Sequence, residues 1–212
     1  ARNRTLQLIY LAQFPITIYI MTCGIWGPTF FVRQYNLDLA TAANAVGMIT
    51  IIAGVGALCG GWLSDRVSRN SPKSRITVCL LYLAVPLIFH SVAIMGSMQG
   101  LSWPMFVLSY GLGQFFAAAN WGTLVAAGLD QFPPQYRATA QSFLPMFQAV
   151  AALGAGVVSG MLSDEFGLAP TMQMLLVVGM SGGIALLLLA RNNYDRDQDR
   201  MQAEGNFDVE IG

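Results

Sequence analysis

The sequence has few charged residues, few cysteines and a single histidine. Only 10% of its 212 residues are charged and the formal net charge is zero, whereas about a quarter of the residues of a soluble domain are charged. No basic field of the kind that nucleic acid requires is present. The three cysteines, Cys23, Cys59 and Cys79, show neither CxxC nor Cys/His spacing, so neither a disulfide framework nor a zinc site is indicated. We expect no metal, no cofactor and no nucleic-acid partner.

Long apolar runs dominate the rest of the chain, since 55% of the residues are hydrophobic. A helix needs about 20 apolar residues to cross roughly 30 Å of hydrocarbon, and its backbone groups must be satisfied within the segment. The sequence therefore predicts an all-α membrane protein with six transmembrane helices. Residues 1–190 form one bundle in this prediction, and polar residues 191–212 form a disordered cytoplasmic tail. The approximate spans are 6–31, 42–63, 76–96, 103–129, 139–162 and 168–190.

Basic residues are distributed unevenly among the connections between these spans. Of the eleven Lys and Arg residues, only Arg33 falls on the side opposite to the others. Because Lys and Arg accumulate in short cytoplasmic loops, we expect both termini and the two basic loops to be cytoplasmic. The predicted localisation is that of an integral, multi-pass protein of a plasma or inner membrane.

A stretch near the end of the second span returns in altered form near the end of the fifth. GWLSDRVS begins at Gly61, and GMLSDEFG begins at Gly160. Three spans separate the copies, so they end on opposite membrane faces. Asp-Arg in the first copy becomes Asp-Glu in the second, as expected for a cytoplasmic and a non-cytoplasmic loop. The pattern predicts two inverted three-helix repeats, an arrangement typical of secondary transporters.

The first copy, Gly61-x-x-x-Asp65-Arg66-x-x-Arg69, resembles the cytoplasmic loop signature of the major facilitator superfamily, although Ser68 stands where the family usually has a second glycine. FPPQYRATAQSF at 132–143 resembles the loop that enters the eleventh helix of that family. WGPTFF at 26–31 is similar to the seventh helix of its organic-anion symporters and spinster-like lipid transporters. The resemblance implies a twelve-helix transporter, with this chain as its C-terminal six-helix half and an N-terminal half as the partner. The initial Ala, in place of Met, fits a piece of a longer protein.

The resemblance also implies alternating access with a cytoplasmic gate. In the family, the aspartate of the loop signature pairs with cytoplasmic groups and latches the outward-facing state. Asp65 would be the latch, Arg66 and Arg69 its near partners, and Gly61 the glycine of the same gating motif. The alternative is that these charges only mark the membrane boundary.

Polar side chains within the spans are the candidates for solute binding, because an unpaired polar group in hydrocarbon is costly. One polar stripe follows a face of the first span from Tyr10 to Gly24, and another follows the fourth span from Tyr110 to Trp121. The resemblance places both helices at the central cavity. Hydrogen bonds between helices of this half are the alternative use. The predicted solute contacts are Gln13, Thr17, Gln114, Asn120 and Trp121, followed by Gln148, with Gln141, on the fifth span.

Secondary transport of a small organic solute is the predicted function, and the lipid bilayer is the expected surrounding. An organic anion is one candidate solute, and its site would need an Arg or Lys from the other half. No Asp or Glu lies in the middle of a span, so proton coupling, which stays open, would need its acid in the other half. A spinster-like transporter of lysolipids or sphingolipids is the main alternative. A channel would need a filter or a pore-lining charged ring, which the sequence does not show.

An enzyme is not expected, although GxSG at 179–182 is a feature shared with rhomboid-like intramembrane proteases. A catalytic serine needs a base within hydrogen-bond reach. Ser181 lies on the sixth span, whereas His90 lies on the third, an order that differs from the rhomboid family. We expect Ser181 to belong to a helix-packing segment and His90 to make a structural hydrogen bond.

Overall fold

The computed structural model describes residues 4–69, 73–132 and 134–211, with side chains described except at 143, 144, 147, 195 and 198–211. The described chain is all-helical, as predicted, and each predicted span lies within one helix. A short 3-10 helix, Pro134–Tyr136, precedes the fifth long helix. The long helices are α1 (Arg4–Tyr35), α2 (Leu39–Ser68), α3 (Ser74–Met98), α4 (Trp103–Leu129), α5 (Arg137–Phe166) and α6 (Leu168–Ile211).

Within the described residues, five of the six helices contain a stretch long and apolar enough to cross a membrane. These stretches are α1, α2, α3, residues 148–166 of α5 and residues 168–194 of α6. The remaining helix, α4, has Gln114, Asn120 and Trp121 near its middle, and such residues lower its mean hydropathy. The sixth span therefore stays a prediction, and α4 is the helix on which it depends.

The connections between helices are short and carry the expected capping chemistry. Asp38 caps α2, since its carboxylate accepts hydrogen bonds from the Thr41 backbone N–H at 3.0 Å and the Thr41 hydroxyl at 2.6 Å. These hydrogen bonds hold the pKa of Asp38 below its usual value. Gly100 follows α3 with φ 91° and Gly167 follows α5 with φ 86°, a conformation that glycine adopts without steric cost. Successive helices therefore reverse direction.

The alternating helices give the bundle two different ends. One end, which we call the Arg75 end, contains the start of α1, α3 and α5 and the points where α2 and α4 finish. Side-chain contacts join these segments, including salt bridges from Arg75 to Asp65 and to Asp130. The opposite end, which we call the Asp38 end, contains the connection from α1 to α2. The sequence predicts that the Arg75 end is cytoplasmic.

The helices pack side by side in the order α2, α4, α3, α6, α1, α5, with further contacts between α1 and α2 and between α5 and α6. The outermost helices, α2 and α5, are the least covered. Only 17% of the apolar stretch of α2 and 22% of that of α5 are buried, against 39% for α1 and 44% for α3. Both outer helices thus present broad apolar surfaces away from this bundle.

The last helix differs from the sequence prediction. Residues from 191 onward were expected to form a disordered tail, but α6 continues as one helix to Ile211. Tyr194 is fully buried. Asp197 is 3% exposed, and its carboxylate accepts a hydrogen bond from the Thr5 backbone N–H at 3.0 Å. The helical bundle therefore extends at least to Asp197, because one face of this polar segment packs on the rest of the chain.

Candidate functional site

A cavity of about 190 Å³ lies between α1, α2, α4 and the beginning of α6, toward the Asp38 end. Its walls are mainly aromatic and aliphatic. Polar groups reach it from Tyr19, Cys23, Thr50, Tyr110 and Gln114. Pockets for drug-sized ligands usually have ~300–1,000 Å³, so the space within this chain suits a small solute.

Three buried side chains at the wall of this cavity form a hydrogen-bonded relay. The Tyr19 hydroxyl lies 2.9 Å from His90 Nδ1 and 3.1 Å from the Tyr110 hydroxyl. The Cys23 thiol adjoins both hydroxyls. The relay joins α1, α3 and α4. Its two tyrosines and the neighbouring Cys23 line the cavity.

His90 is fully buried behind this wall. Its ring stacks on that of Tyr110, with centroids 4.0 Å apart and planes at 13°. The structural hydrogen bond expected of His90 is confirmed, and its partner is Tyr19. Gly113 allows the His90 ring to lie close to the α4 backbone, because a Cβ at this position would be 2.7 Å from His90 Nε2. His90 therefore holds the two tyrosines in place from the side away from the cavity.

Aromatic rings continue from the relay toward the Asp38 end. Phe106 stacks on Tyr110 with centroids 5.2 Å apart and planes at 11°. Phe30 lies 4.9 Å from Phe106, and Phe31 meets Phe106 edge-on at 5.3 Å. Offset and edge-on contacts of this kind stabilise aromatic pairs beyond their buried area. They join α1 to α4 and give the cavity a stiff aromatic wall.

Of the predicted solute contacts, Gln114 is the one that lines the cavity. Its side chain is half-buried, and its amide has no hydrogen-bond partner among the described residues. A glutamine amide offers both donors and an acceptor. Gln114 is thus free to bind a polar group that enters the cavity.

Gln13 and Thr17 lie elsewhere in the bundle, each 2% exposed. Both amide atoms of Gln13 and the hydroxyl of Thr17 have no hydrogen-bond partner within the described ranges. Gln13 borders a second, much smaller space between α1, α4 and α5, near the Arg75 end, with Gln141 on its other side. Gln13 and Thr17 therefore point into the interior of this half, whereas Gly24, at the end of the predicted stripe, lines the main cavity.

The other predicted contacts are dispersed. Asn120 is buried, and its Oδ1 has no partner in the described part of the chain. Trp121, its neighbour, is 41% exposed and faces outward. Gln148 is half-buried on α5. The structure does not bring these three side chains to the main cavity.

The sequence analysis missed most of the cavity wall on α1. Tyr19, Cys23, Gly27 and Phe30 follow one another at spacings of four, four and three, which places them on one helical face. That face was passed over because its residues are mainly apolar or aromatic. The feature of the sequence that indicates this face is the pair Tyr19 and Cys23, two side chains with polar groups that lie one helical turn apart in an apolar run.

Charged side chains at the Arg75 end tie four helices together. Arg75, on α3, lies 3.3 Å from Asp65 on α2 and 3.2 Å from Asp130 at the end of α4. The Tyr194 hydroxyl on α6 lies 3.3 Å from Asp130 and 3.4 Å from the Ala127 carbonyl oxygen. The Asp65 side chain is 72% exposed, whereas that of Arg75 is 15% exposed. Asp65 thus stands at the outer edge of a largely shielded network.

The salt bridge that Asp65 forms in this structure involves a residue that was not among its predicted near partners. Its observed partner is Arg75 instead of Arg66 or Arg69. The Arg66 guanidinium lies over the Trp62 ring, 5.6 Å from its centroid, because it projects from the exposed face of α2. Arg69 is exposed. Gly61, the glycine of the motif, faces open space, since a Cβ there would meet nothing within 4 Å.

The arrangement around Ser181 does not support a protease. Ser181 is exposed, and its hydroxyl donates to the Val177 carbonyl of its own helix. His90, the only histidine, contacts Tyr19 and Tyr110 instead. The preceding Gly179 packs against the α1 backbone, where a Cβ would lie 2.7 Å from the Pro15 carbonyl oxygen. The GxSG segment therefore serves helix packing, as predicted.

Comparisons with known proteins identify relatives among transporters. Over 154 residues, or 70% of this chain, it is 28% identical to an MFS-type efflux pump of Mycolicibacterium smegmatis. Over 198 residues, or 90% of this chain, it is 27% identical to the hexuronate transporters of Escherichia coli K12 and O157:H7. Both kinds of relative are transport proteins. Their names support membership of the major facilitator superfamily.

These similarities extend over only part of each relative. The matched region covers 35% of the efflux pump and 44% of the hexuronate transporter, so the chain spans less than half the length of the relatives it matches. No family model matches the chain. With the apolar helices described above, the relatives support a multi-pass membrane protein.

Proposed function

We propose that this chain is the C-terminal six-helix half of a major facilitator superfamily transporter that moves a small organic solute by alternating access. An organic anion of the sugar-acid type is the first candidate, because a relative matched over 90% of this chain is a hexuronate transporter. The observation that carries the proposal is the cavity lined by Tyr19, Tyr110 and Gln114 within an otherwise apolar bundle. Polar groups within a membrane-spanning bundle are energetically costly, and they often mark the pathway of a substrate or ion.

The packing order supports two inverted repeats. Exchanging α1 with α4, α2 with α5 and α3 with α6 converts the pair α2–α4 into α5–α1, and the pair α3–α4 into α6–α1. The pair α3–α6 is converted into itself. All of these pairs are in contact, so the exchange maps the neighbour pattern onto itself, as two repeats related by a two-fold axis require.

The two copies of the repeated motif also occupy equivalent environments. Ser64 and Ser163 are buried, at 1% and 7% exposure. Asp65 and Asp164, which follow them, are both exposed. A shared burial pattern at opposite ends of the bundle is expected if the two segments descend from one repeated unit.

The uncovered faces of α2 and α5 support an N-terminal half as the partner. These helices are the most exposed in the bundle, and the relatives are more than twice as long as the matched region. A second six-helix bundle against α2 and α5 would close the solute pathway. With both termini cytoplasmic, the Arg75 end would lie on the inside and the cavity toward the outside.

The dimensions of the cavity support a small solute over a lysolipid. About 190 Å³ accommodates a single small ring, whereas an acyl chain would need a groove that continues to the lipid-facing surface. The relay and the free amide of Gln114 provide directional hydrogen bonds, which an acyl chain does not use. In this proposal Gln114 contacts the solute directly. The exposed Trp121 would contribute only through a surface shared with the other half, and the buried Gln13, Thr17 and Asn120 and the half-buried Gln148 are given no direct solute contact.

Uptake into proteoliposomes tests the proposed function. The protein that contains this chain should accumulate radiolabelled glucuronate, a hexuronate, above protein-free vesicles. A protonophore arm reports whether uptake depends on a proton gradient. We expect Tyr110→Phe to lower kcat/KM roughly 2- to 10-fold, because a buried hydrogen bond contributes ~0.5–1.5 kcal/mol. Uptake of lysolipid but of no small anion or sugar would reject the small-solute proposal.

Tyr82→Phe is the matched control for this substitution. The Tyr82 hydroxyl is also buried and donates to a backbone carbonyl, that of Gly60, at 3.3 Å, but it lies outside the cavity. Equal losses of uptake in both variants would indicate a general effect of losing a tyrosine hydroxyl, and would remove the support for the cavity.

Asp65→Asn tests the proposed gate. The side chain is 72% exposed, and exposed ion pairs contribute little to stability, so membrane insertion and folding should be unchanged. If Asp65 and Arg75 latch one conformation, uptake should fall severalfold because the equilibrium between the two access states shifts.

Asp164→Asn is the matched control, since it changes the same residue of the same motif at the opposite end of the bundle. We expect it to leave uptake near that of the unmodified protein. Unchanged uptake in Asp65→Asn, or equal losses in both variants measured in the same vesicles, would contradict a latch at Asp65.

A further inference from the structure

The polar groups of the cavity are all uncharged. Among the residues that line it, none carries a formal charge at neutral pH. A carboxylate buried without a partner is strongly unfavourable. The part of a solute that enters this cavity should therefore be neutral, even where the solute as a whole is an anion.

The direction of the hydrogen bonds in the relay depends on the tautomer of His90. Nε2 has no hydrogen-bond partner in the described part of the chain. It lies against Gly113, since a Cβ added to that glycine would be 2.7 Å from Nε2. Buried N–H groups without partners are rare. The tautomer with the ring proton on Nδ1 leaves no unpaired N–H at this position, and it is the one that we assign to the relay.

Protonation at Nδ1 orients the remaining donors. Nδ1–H then donates to the Tyr19 oxygen, and the Tyr19 hydroxyl donates to the Tyr110 oxygen. The Tyr110 O–H then lies at the cavity wall, where the Cys23 thiol is its neighbour within this chain. With the Gln114 amide, the cavity presents N–H and O–H donors to an occupant, and these suit ether, hydroxyl or carbonyl oxygens.

The aromatic wall adds a second requirement. Tyr110 and Phe106 are stacked nearly parallel, and Phe30 lies against Phe106. These stacked rings cover much of each other's faces, so the wall presents mainly apolar ring edges, against which the C–H groups of a saturated ring pack. An occupant with oxygens on its edge and C–H groups on its face satisfies both walls.

We propose that this cavity binds the uncharged, oxygen-rich ring of a sugar-like solute, and that any carboxylate on the solute is held outside the cavity. Gln114 and Tyr110 donate to the ring oxygens, and His90 is a positioning residue that sets the direction of the relay. The inference rests on the proposed transport function and assigns the chemical class that its cavity recognises.

Comparing glucose with glucuronate distinguishes recognition of the neutral ring from recognition of the carboxylate. Glucose has the ring of glucuronate with a hydroxymethyl group in place of the carboxylate. We expect Gln114→Leu to weaken the binding of both ligands by the same factor, roughly 2- to 10-fold, in a direct binding assay on the detergent-solubilised protein. Gln173→Leu is the matched control, because Gln173 donates to Ser91 at 3.0 Å away from the cavity.

A loss confined to glucuronate would overturn the proposal, because it would place the carboxylate at Gln114. Failure of both ligands to bind, or retained binding of both in Gln114→Leu, would also overturn it. These outcomes are distinct from failure of the transport function, in which binding would follow the expected pattern and proteoliposomes would show no uptake.

Cys23 provides a readout of cavity occupancy that needs no transport. In a background in which every other cysteine of the protein, including Cys59 and Cys79, is replaced by serine, a small methanethiosulfonate reagent should modify Cys23, and glucose should slow that reaction. Protection should require a higher glucose concentration in Gln114→Leu than in Gln173→Leu. Protection by indole but not by glucose would show an aromatic occupant and contradict the assignment of a sugar ring.

Discussion

Replacing Gly60 with valine is expected to prevent the bundle from assembling. Gly60 is the point where α2 meets α4, and a Cβ there would lie 2.5 Å from the Cα of Ala119. The obstacle is backbone, so no side-chain rotation relieves it and the two helices must separate. Overpacking usually costs ~1–3 kcal/mol, and a backbone clash between helices exceeds that range. We expect little monodisperse protein by fluorescence-detected size-exclusion chromatography.

Gly54→Val on the same helix is the control. A Cβ at Gly54 would meet nothing within 4 Å, so the added side chain faces the surroundings of the bundle and the yield should stay close to that of the unmodified chain. Gly56→Val should behave like Gly60→Val, because a Cβ there would lie 2.7 Å from the Phe115 Cα and closer still to the Phe115 carbonyl oxygen. Normal elution of both Gly56→Val and Gly60→Val would contradict the described packing of α2 on α4.

Replacing Tyr194 with alanine is expected to have the second largest effect. Tyr194 is fully buried, and its hydroxyl contacts Asp130 and the Ala127 carbonyl oxygen on α4. Truncation of a buried aromatic side chain to alanine costs ~3–5 kcal/mol. The loss should appear as a lower melting temperature of the purified protein, measured by scanning fluorimetry.

Tyr194→Phe separates the ring from its hydroxyl. This variant keeps the packing and removes only the hydrogen bonds, so it should lose roughly 0.5–1.5 kcal/mol. A melting temperature unchanged in Tyr194→Ala would show that residues beyond 190 are a solvated tail after all. The disordered tail predicted from composition would then be the correct description of these residues.

The sequence was sufficient for the helices because their signal is long and local. Each apolar run corresponds to one helix in the structure. The extension of α6 was missed because its buried face includes Tyr194 and Asp197. Polar residues that pack through one face have the composition of a disordered tail.

The cavity was predicted only in part, and the reason is geometric. Polarity selects Gln13 and Gln114 alike, but whether a side chain reaches a cavity depends on which helices pack beside it. Gln13 faces the interior near α4 and α5, whereas Gln114 faces the cavity. Tyr19 and Phe30 escaped notice because aromatic residues in an apolar run are not distinctive. Partners such as Arg75 and Asp130 are 55 positions apart, a separation that no local pattern encodes.

Entrance counterflow tests the central claim most directly, because it separates a carrier from a channel or an enzyme. Proteoliposomes that contain the protein are loaded with unlabelled glucuronate and diluted into a trace of labelled glucuronate. An alternating-access carrier should accumulate label transiently above its external concentration, and Tyr110→Phe should reduce the initial rate more than Tyr82→Phe. Equilibration of label without such an overshoot, in vesicles with demonstrated glucuronate permeation, would contradict the account.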